Sequence, residues 1–516
     1  VNSRLQRILK SHRLWAVLSG LLLTIGYPKW DQGWTAWIAL IPLLVALRNS
    51  TPARSFLLGW STGMVFFTFT LSWVTESMHR YGHLPLWAST FFLLLLAAVL
   101  ALYIGLFGWL TRWLSLRTGF PMILWSPTVW VTVEMVRAHL FTGFPWALLG
   151  YTQYREIPII QISDLTGVYG VSFLIVLANA AAADFIRSRG REWKGGVVAA
   201  SIITLVVLYG QWRLSTFDSP VGTLKIGLVQ GNVDQGRKWD PEYREEIFGR
   251  HTRLTRDAAA AGAELVVWPE AATPFLFERD LHFRLRLEAL ARESGVSLLF
   301  GSPSIQLSPD NPKRPFLLNS AYLLSKRAEL VGRYDKLHLV PFGEYVPLGR
   351  LLFFVEKMVD GIGDFIPGHD YTVLDWPQAG FGVVICYEVI FPDLVRRFVG
   401  GGAQFMATIT NDAWFGRTAA AYQHFSMVTL RAVENRVAFV RAANTGISGV
   451  IEPSGRIRSA TDLFIETVLV EAIPVGSPAA EKTFYTRWGD LFSYGCVILI
   501  VFGCGIAIKR KGTNHV

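Results

Sequence analysis

Three apolar runs end in side chains that could do chemistry together. Phe381-Gly-Val-Val-Ile-Cys-Tyr-Glu388 reads as a strand that delivers Cys386 to its own end, followed by Tyr387 and Glu388. Glu264-Leu-Val-Val-Trp-Pro-Glu270 ends at a carboxylate, and a β-rich run over 329–334 leads to Lys336. A thiol at a strand end is a nucleophile on a rigid support. It needs a base to become a thiolate, which a buried carboxylate supplies. A carbonyl under attack gathers negative charge on oxygen, which a fixed ammonium stabilises. A second carboxylate, Glu344, follows in HLVPFGEYVP, residues 338–347. Taken singly, each residue has a plainer reading. Cys386 fits a small buried hydrophobe, Glu270 a carboxylate at a helix N-terminus, Lys336 a surface charge and Glu344 a loop cap.

The elements that must position these residues alternate. Strands are expected at 224–230, 264–270, 296–301, 316–324, 329–334, 373–376, 381–385, 405–411, 439–442 and 447–451. Helices are expected at 241–261, 281–293, after Pro392 and at 420–436. Strands and helices in alternation, with polar residues at strand ends, predict a layered α/β domain over 221–474 with its site along one edge.

The rest of the chain is different. Of 516 residues, 51% are hydrophobic and only 17% charged, against about 25% charged in a soluble globular protein. The apolar excess fills the N-terminal part and a short C-terminal segment. Eight membrane spans are expected, at 14–27, 34–47, 56–74, 87–110, 122–140, 168–185, 197–214 and 491–508. This divides the chain into a seven-span membrane domain at 1–215, the α/β domain at 221–474, and an eighth span with a cytoplasmic tail at 487–516. Glu134 and Arg137 in the fifth span read as an intramembrane pair near the interface or as groups facing a polar cavity. The aromatic stretches 144–146 and 150–154 read as an interfacial belt or as the wall of a lipid entrance.

Basic residues orient the spans. Arg4, Arg7, Lys10 and Arg13, then Arg48 and Arg54, Arg112 and Arg117, Arg187, Arg189, Arg191 and Lys194, and finally Lys509, Arg510 and Lys511 mark one set of loops. The opposite loops hold only Lys29, Arg80 and Arg155. By the positive-inside rule both termini are cytoplasmic and the α/β domain is extracytoplasmic. The first span lacks a following small-residue cleavage site and is not read as a signal peptide. Val1 fits a bacterial alternative start codon translated literally. The net charge of +10 belongs to this loop pattern and predicts no nucleic-acid partner. Cys496 and Cys504 lie in the last apolar segment, so Cys386 is the lone cysteine of the α/β domain and forms no disulfide within it. The histidines are scattered, with no metal-ligand cluster.

VVWPEAATPF (266–275), YDKLHLVPFGEYVP (334–347) and GVVICYEVIFPD (382–393) resemble the three motifs of the nitrilase, or carbon–nitrogen hydrolase, superfamily. Together with eight spans and the forms HLVPFGEYVP and TNDAWFG (410–416), they resemble its membrane-embedded, lipoprotein-acylating bacterial branch over the full length. The resemblance implies an αββα sandwich with Glu270 as general base, Lys336 as oxyanion stabiliser and Cys386 as nucleophile. Glu344 matches a supporting carboxylate, and Tyr387 and Glu388 match the pair after the nucleophile. Trp239, in QGRKWD (235–240), matches a loop tryptophan that shapes the substrate opening; alone it reads as an exposed lid aromatic. The implied reaction moves a fatty acyl chain from a membrane phospholipid through a thioester to the α-amino group of an N-terminal S-diacylglyceryl cysteine of lipoproteins. It implies a multi-pass protein of the bacterial inner membrane, with its catalytic domain periplasmic and no cofactor. Aromatic loops at 353–358 and 414–415 are expected to keep water from the thioester. The alternative is a membrane-anchored amidase or nitrilase-type hydrolase with water as acceptor. A transporter or scaffold carrying a dead enzyme domain is a third reading, which the intact Glu270, Lys336 and Cys386 disfavour.

Overall fold

The computed structural model describes residues 12–216, 222–307, 315–346, 365–477 and 481–512. Two compact units form: Val1–Thr75 with Leu84–Thr216 and Trp488–Val516, and Glu76–His83 with Phe217–Arg487. The expected lid at 353–358 and the basic residues Arg4, Arg7 and Lys10 lie outside the described residues.

The first unit is helical. Among the described residues, four of its helices are long and apolar enough to cross a membrane: Leu86–Thr118, Val168–Arg187, Trp193–Ser215 and Leu491–Arg510. A fifth span results if Pro52–Thr70 and Trp73–Tyr81, bent by 49° at their junction, count as one. The remaining expected spans differ for identifiable reasons. His12–Ile25 is short, and the helical stretch Gly33–Arg48 is broken into pieces. Met122–His139 contains Pro127 and spends much of its length on polar groups, with Glu134 and Arg137 both buried. Those two side chains stitch the following loop in place. Glu134 Oε1 accepts from Leu149 N at 2.7 Å, and Arg137 donates to the carbonyls of Phe144, Trp146 and Ala147 at 3.1, 2.6 and 3.3 Å.

Among the described residues, the second unit is a pair of six-stranded sheets. The first contains β1 (Gly222–Gln230), β2 (Leu265–Val267), β3 (Ser297–Gln306), β4 (Phe316–Leu324) and β5 (Leu330–Asp335). The second contains β6 (Val373–Leu374), β7 (Phe381–Ile385), β8 (Phe405–Thr410), β9 (Ala438–Ala443), β10 (Gly449–Ile451) and β11 (Ile457–Ala460). β12 (Thr467–Val475) returns to the first sheet and pairs antiparallel with β1. The orders are β12-β1-β2-β3-β4-β5 and β11-β10-β9-β8-β7-β6. Each sheet has a parallel trio at its centre, β1-β2-β3 and β7-β8-β9. The trios are mostly buried, β7, β8 and β9 wholly so, because parallel strands are covered on both faces. One inner face meets the other, with β1 against β9 and β4 against β7.

Helices follow the parallel strands, as crossover connections require. Arg244–Ala260 begins with Glu245 and Glu246 in its first turn, favourable at the positive end of the helix dipole. Leu281–Ser294 is capped by Asp280, whose side chain accepts from Phe283 N, and ends at Gly295 with φ 66°. Ala419–Asn435 is capped by Thr418 and stops at Arg436 in the left-handed region. Trp268, Phe248, Phe275, Phe283 and Phe300 belong to the core that joins the first two of these helices to their sheet. The observed elements match the expected ones within a few residues, except that β2 is shorter, β3 longer, and β11 and β12 were not anticipated.

One short segment comes from far away in sequence. Ser77–Tyr81 is a π-helical turn whose Ser77 Oγ donates to Trp414 O at 2.7 Å. Tyr81 OH donates to Ala413 O at 2.8 Å, with its ring edge-on to Trp414.

Candidate active site

Glu270, Cys386 and Asn411 stand just beyond the carboxyl ends of β2, β7 and β8, and Lys336 directly follows β5. Strand carboxyl ends are where open α/β sheets leave a crevice for ligands.

Glu270 is reached by a tight turn. β2 stops at Val267, Pro269 removes a ladder N–H, and Ala271 takes φ 45°. Gly301 on β3 lies directly against this turn. A Cβ there would fall 2.4 Å from Ala271 N and 2.9 Å from Glu270 Cα, so the close approach requires glycine. The carboxylate, 8% exposed, accepts from Asn319 Nδ2 at 2.7 Å and from Asn411 N at 2.9 Å.

Lys336 is 1% exposed. Its Nζ lies 2.9 Å from Glu344 Oε1 and 3.7 Å from Glu270 Oε1. Its backbone is fixed on both sides, N donating to Asn319 O at 2.9 Å and O accepting from Gly368 N at 2.8 Å. Burial works against the ammonium, but the carboxylates of Glu344 and then Glu270 outweigh it and raise its pKa well above the ordinary lysine value. Lys336 stays a cation. Glu344 is itself held by Val340 N at 2.8 Å, and the Asn319 amide bridges both carboxylates, reaching Glu344 Oε1 at 3.0 Å.

Cys386 sits at the strand-to-turn corner with φ 53°, a left-handed conformation that is strained for a side chain bearing Cβ. Burial first, and Glu270 next, push its thiol pKa up; Lys336 and the Thr410 hydroxyl pull the other way without winning. The resting sulfur is a thiol, and its proton must leave as it attacks.

Glu388 is fully buried behind the site. Oε1 accepts from Tyr334 OH, Leu337 N and His338 N at 2.7, 2.7 and 3.1 Å, and Oε2 from Ile385 N at 2.7 Å. One side chain thus joins the segment just after Lys336 to the residue just before Cys386. Burial raises its pKa to about 7 against these donors. Tyr387 points elsewhere, its ring against His338 and Phe391. Trp239 is partly buried, and among the described residues no hydrogen bond joins it to the others.

Sequence reasoning overlooked several residues. Lys238, beside Trp239, is 3% exposed and donates from Nζ to the backbone carbonyl of Glu270 at 3.0 Å. Burial lowers its pKa to about 8, opposed by Glu270 and Cys386. Asn319 interrupts the apolar run FLLNSAYLL of β4, a polar group in a buried strand and so a readable signal. Asp412, His424 and Arg441 form a buried cluster behind Cys386. Two lysines and two carboxylates, Lys238 and Lys336 with Glu270 and Glu344, balance in charge around the thiol. Among the described residues no three His, Cys, Asp or Glu side chains are grouped to hold a metal.

A thiol, a carboxylate and a lysine at the edge of two facing sheets define a carbon–nitrogen hydrolase-type catalytic domain, and the Carbon-nitrogen hydrolase family model matches residues 225–480. The helical part matches a second model, the Apolipoprotein N-acyltransferase N-terminal domain, over residues 19–181. The chain belongs to the apolipoprotein N-acyltransferase family. It is 44% identical to an apolipoprotein N-acyltransferase of Geobacter metallireducens, over 97% of this chain and 96% of that one. A second, from Haemophilus influenzae, is 31% identical over 96% and 95% of the two chains. Among solved structures, an amidase of the nitrilase superfamily from Nesterenkonia is 23% identical, with a TM-score of 0.38, over 52% of this chain and 95% of the other.

Proposed function

We propose that this chain transfers a fatty acyl group from a membrane phospholipid to the α-amino group of the N-terminal S-diacylglyceryl cysteine of apolipoproteins, through a thioester on Cys386. The observation that carries the reading is the buried acid–amine pair, Glu270 and Lys336, whose charges both act on the Cys386 thiol. Full-length similarity to named apolipoprotein N-acyltransferases supports the acceptor class.

The geometry suggests the order of events. As Sγ attacks the phospholipid ester carbonyl, the thiol proton passes to Glu270, and Lys336 stabilises the developing oxyanion. Collapse expels the lysophospholipid alkoxide, which takes that proton and leaves the thioester. The acceptor amine, with an ordinary pKa of about 8, then attacks as the neutral form; Glu270 removes its proton and returns it to the departing sulfur. Glu344 holds Lys336, Glu388 positions the flanks of Lys336 and Cys386, Tyr387 packs the wall beyond the nucleophile, and Trp239 lines the opening.

Around this site we place seven spans in residues 1–215, the catalytic domain in 221–474 and an eighth span in 487–516. The catalytic domain is periplasmic and the protein is multi-pass in the bacterial inner membrane. The basic-loop pattern and the apolar helices support this arrangement. A diacyl donor and a triacylated product both remain in the bilayer, which gives an enzyme of this kind reason to be embedded there.

Intact-mass spectrometry after exposure to phosphatidylethanolamine tests the reading. One fatty acyl adduct is expected on Cys386, discharged by an S-diacylglyceryl peptide to yield N-acyl peptide and lysophospholipid. Free fatty acid as the sole product, with or without the peptide, would refute the transfer in favour of a hydrolase.

A further inference from the structure

Behind the nucleophile lies a charged cluster that the mechanism above does not use. Asp412 follows β8, His424 is on the helix Ala419–Asn435 and Arg441 is on β9. All three are at most 1% exposed. Arg441 Nη2 lies 2.8 Å from Asp412 Oδ2 and 3.0 Å from His424 Nδ1. His424 Nε2 lies 3.1 Å from the backbone carbonyl of Cys386.

The protonation pattern follows from the partners. A carbonyl only accepts, so Nε2 carries a proton and donates it to the Cys386 carbonyl, while Nδ1 faces both the Arg441 guanidinium and Asp412 Oδ1, the latter at 3.1 Å. Burial first, and Arg441 next, lower the His424 pKa, against the opposing pull of Asp412. Thr410 Oγ1 donates to Asp412 Oδ1 at 3.0 Å and so fixes that carboxylate from the end of β8. Three buried charged or polar residues are costly unless each is held, and here they converge on one residue whose φ is +53°.

We propose that His424, fixed by Asp412 and Arg441, is a positioning residue that holds Cys386 in its left-handed conformation by gripping its carbonyl, and so aims the sulfur at the ester. This rests on the reading of Cys386 as the nucleophile. The strained corner is thereby paid for by a hydrogen bond from behind rather than by the strand alone.

The test uses the full-length protein in detergent with phosphatidylethanolamine, following single-turnover acyl-enzyme formation by intact mass. His424→Gln puts an amide N–H near the place of Nε2, whereas His424→Asn puts it near Nδ1, where it cannot reach the carbonyl. His424→Gln should acylate within about 3-fold of the unsubstituted protein, and His424→Asn about 30-fold or more slower with an unchanged KM for the phospholipid. Equal slowing of the two variants, or a His424→Asn variant as fast as the parent, overturns the proposal while leaving Cys386 as nucleophile. Absence of any adduct on Cys386 in the unsubstituted protein overturns both. Should His424→Asn not fold, His424→Gln supplies the measurement by itself: acylation within about 3-fold of the parent is expected, and a loss of about 30-fold or more overturns the proposal.

Discussion

Lys238→Met should make the protein more stable and less active, and the size of both effects can be worked from the site. Lys238 is buried with its pKa lowered from 10.5 to about 8, burial being the main cause. At 1.36 kcal/mol per pH unit, holding that ammonium in the fold below pH 8 costs about 3 kcal/mol. Methionine fills much the same space without charge. It also leaves the Glu270 carbonyl, now bonded at 3.0 Å, without its donor, which returns about 1–2 kcal/mol of that gain. The net stabilisation is about 1–2 kcal/mol, or roughly 3–5 °C in the melting temperature of a domain this size. The pH dependence has a definite sign. The folded protein releases the Lys238 proton near pH 8 and the unfolded chain near 10.5, so between them the unfolded state binds more protons and parental stability rises with pH relative to the variant. The advantage of Lys238→Met should be full well below pH 8, vanish between about pH 9 and 10, and give way to a deficit by about 10.5, where only the lost donor to the Glu270 carbonyl remains. Activity should fall about 10-fold or more, because the Glu270 main chain loses an anchor and the site a cation. Melting curves of both proteins in detergent from pH 7 to 10.5, with acyl transfer measured at pH 7, provide the assay. A variant that melts lower at pH 7, or an advantage that does not shrink with rising pH, would refute the reasoning.

Three further outcomes are expected. Lys336→Met should abolish thioester formation, a loss of about 10²-fold or more, and lower stability by about 3–5 kcal/mol because Glu270 and Glu344 then face each other without a cation; activity and denaturant titration check both. Gly301→Ala should reduce kcat with little change in KM, since its methyl would press into the Glu270 turn at 2.4 Å, and steady-state kinetics separate the two constants. Trp239→Ala should do the reverse, raising the KM for phospholipid with kcat little changed, if its ring lines the opening; a pure kcat loss would assign it elsewhere.

The strand ends were legible because the chemistry there is punctuated in sequence. An apolar run that stops at Cys386, or at Pro269 before Glu270, announces both a strand and its exposed end. The paired sheets were legible for the same reason, as alternating apolar strands and capped helices. What stayed hidden depends on contacts across the fold. Lys238 sits in a polar loop and looks solvated until the Glu270 turn covers it. His424 lies on a mostly apolar helix, where a single imidazole carries no sign that it reaches the Cys386 carbonyl. β11, with the sequence IRSA, has no apolar run, and Glu471 and Pro474 interrupt the apolar run of β12. The helical half was read by length and hydropathy, which do not foresee the 49° bend after Thr70 or the polar content of Met122–His139.

The short turn at Ser77–Tyr81 has a practical consequence for anyone who wants the catalytic half by itself. Cleaving the polypeptide near residue 217 would discard two donors that now satisfy the carbonyls of Ala413 and Trp414, immediately downstream of Asp412. A water-soluble enzyme is therefore not obtained by one cut: residues 76–83 would have to be spliced back onto the excised fragment, or supplied as a free peptide, for the Asp412 turn to keep its shape.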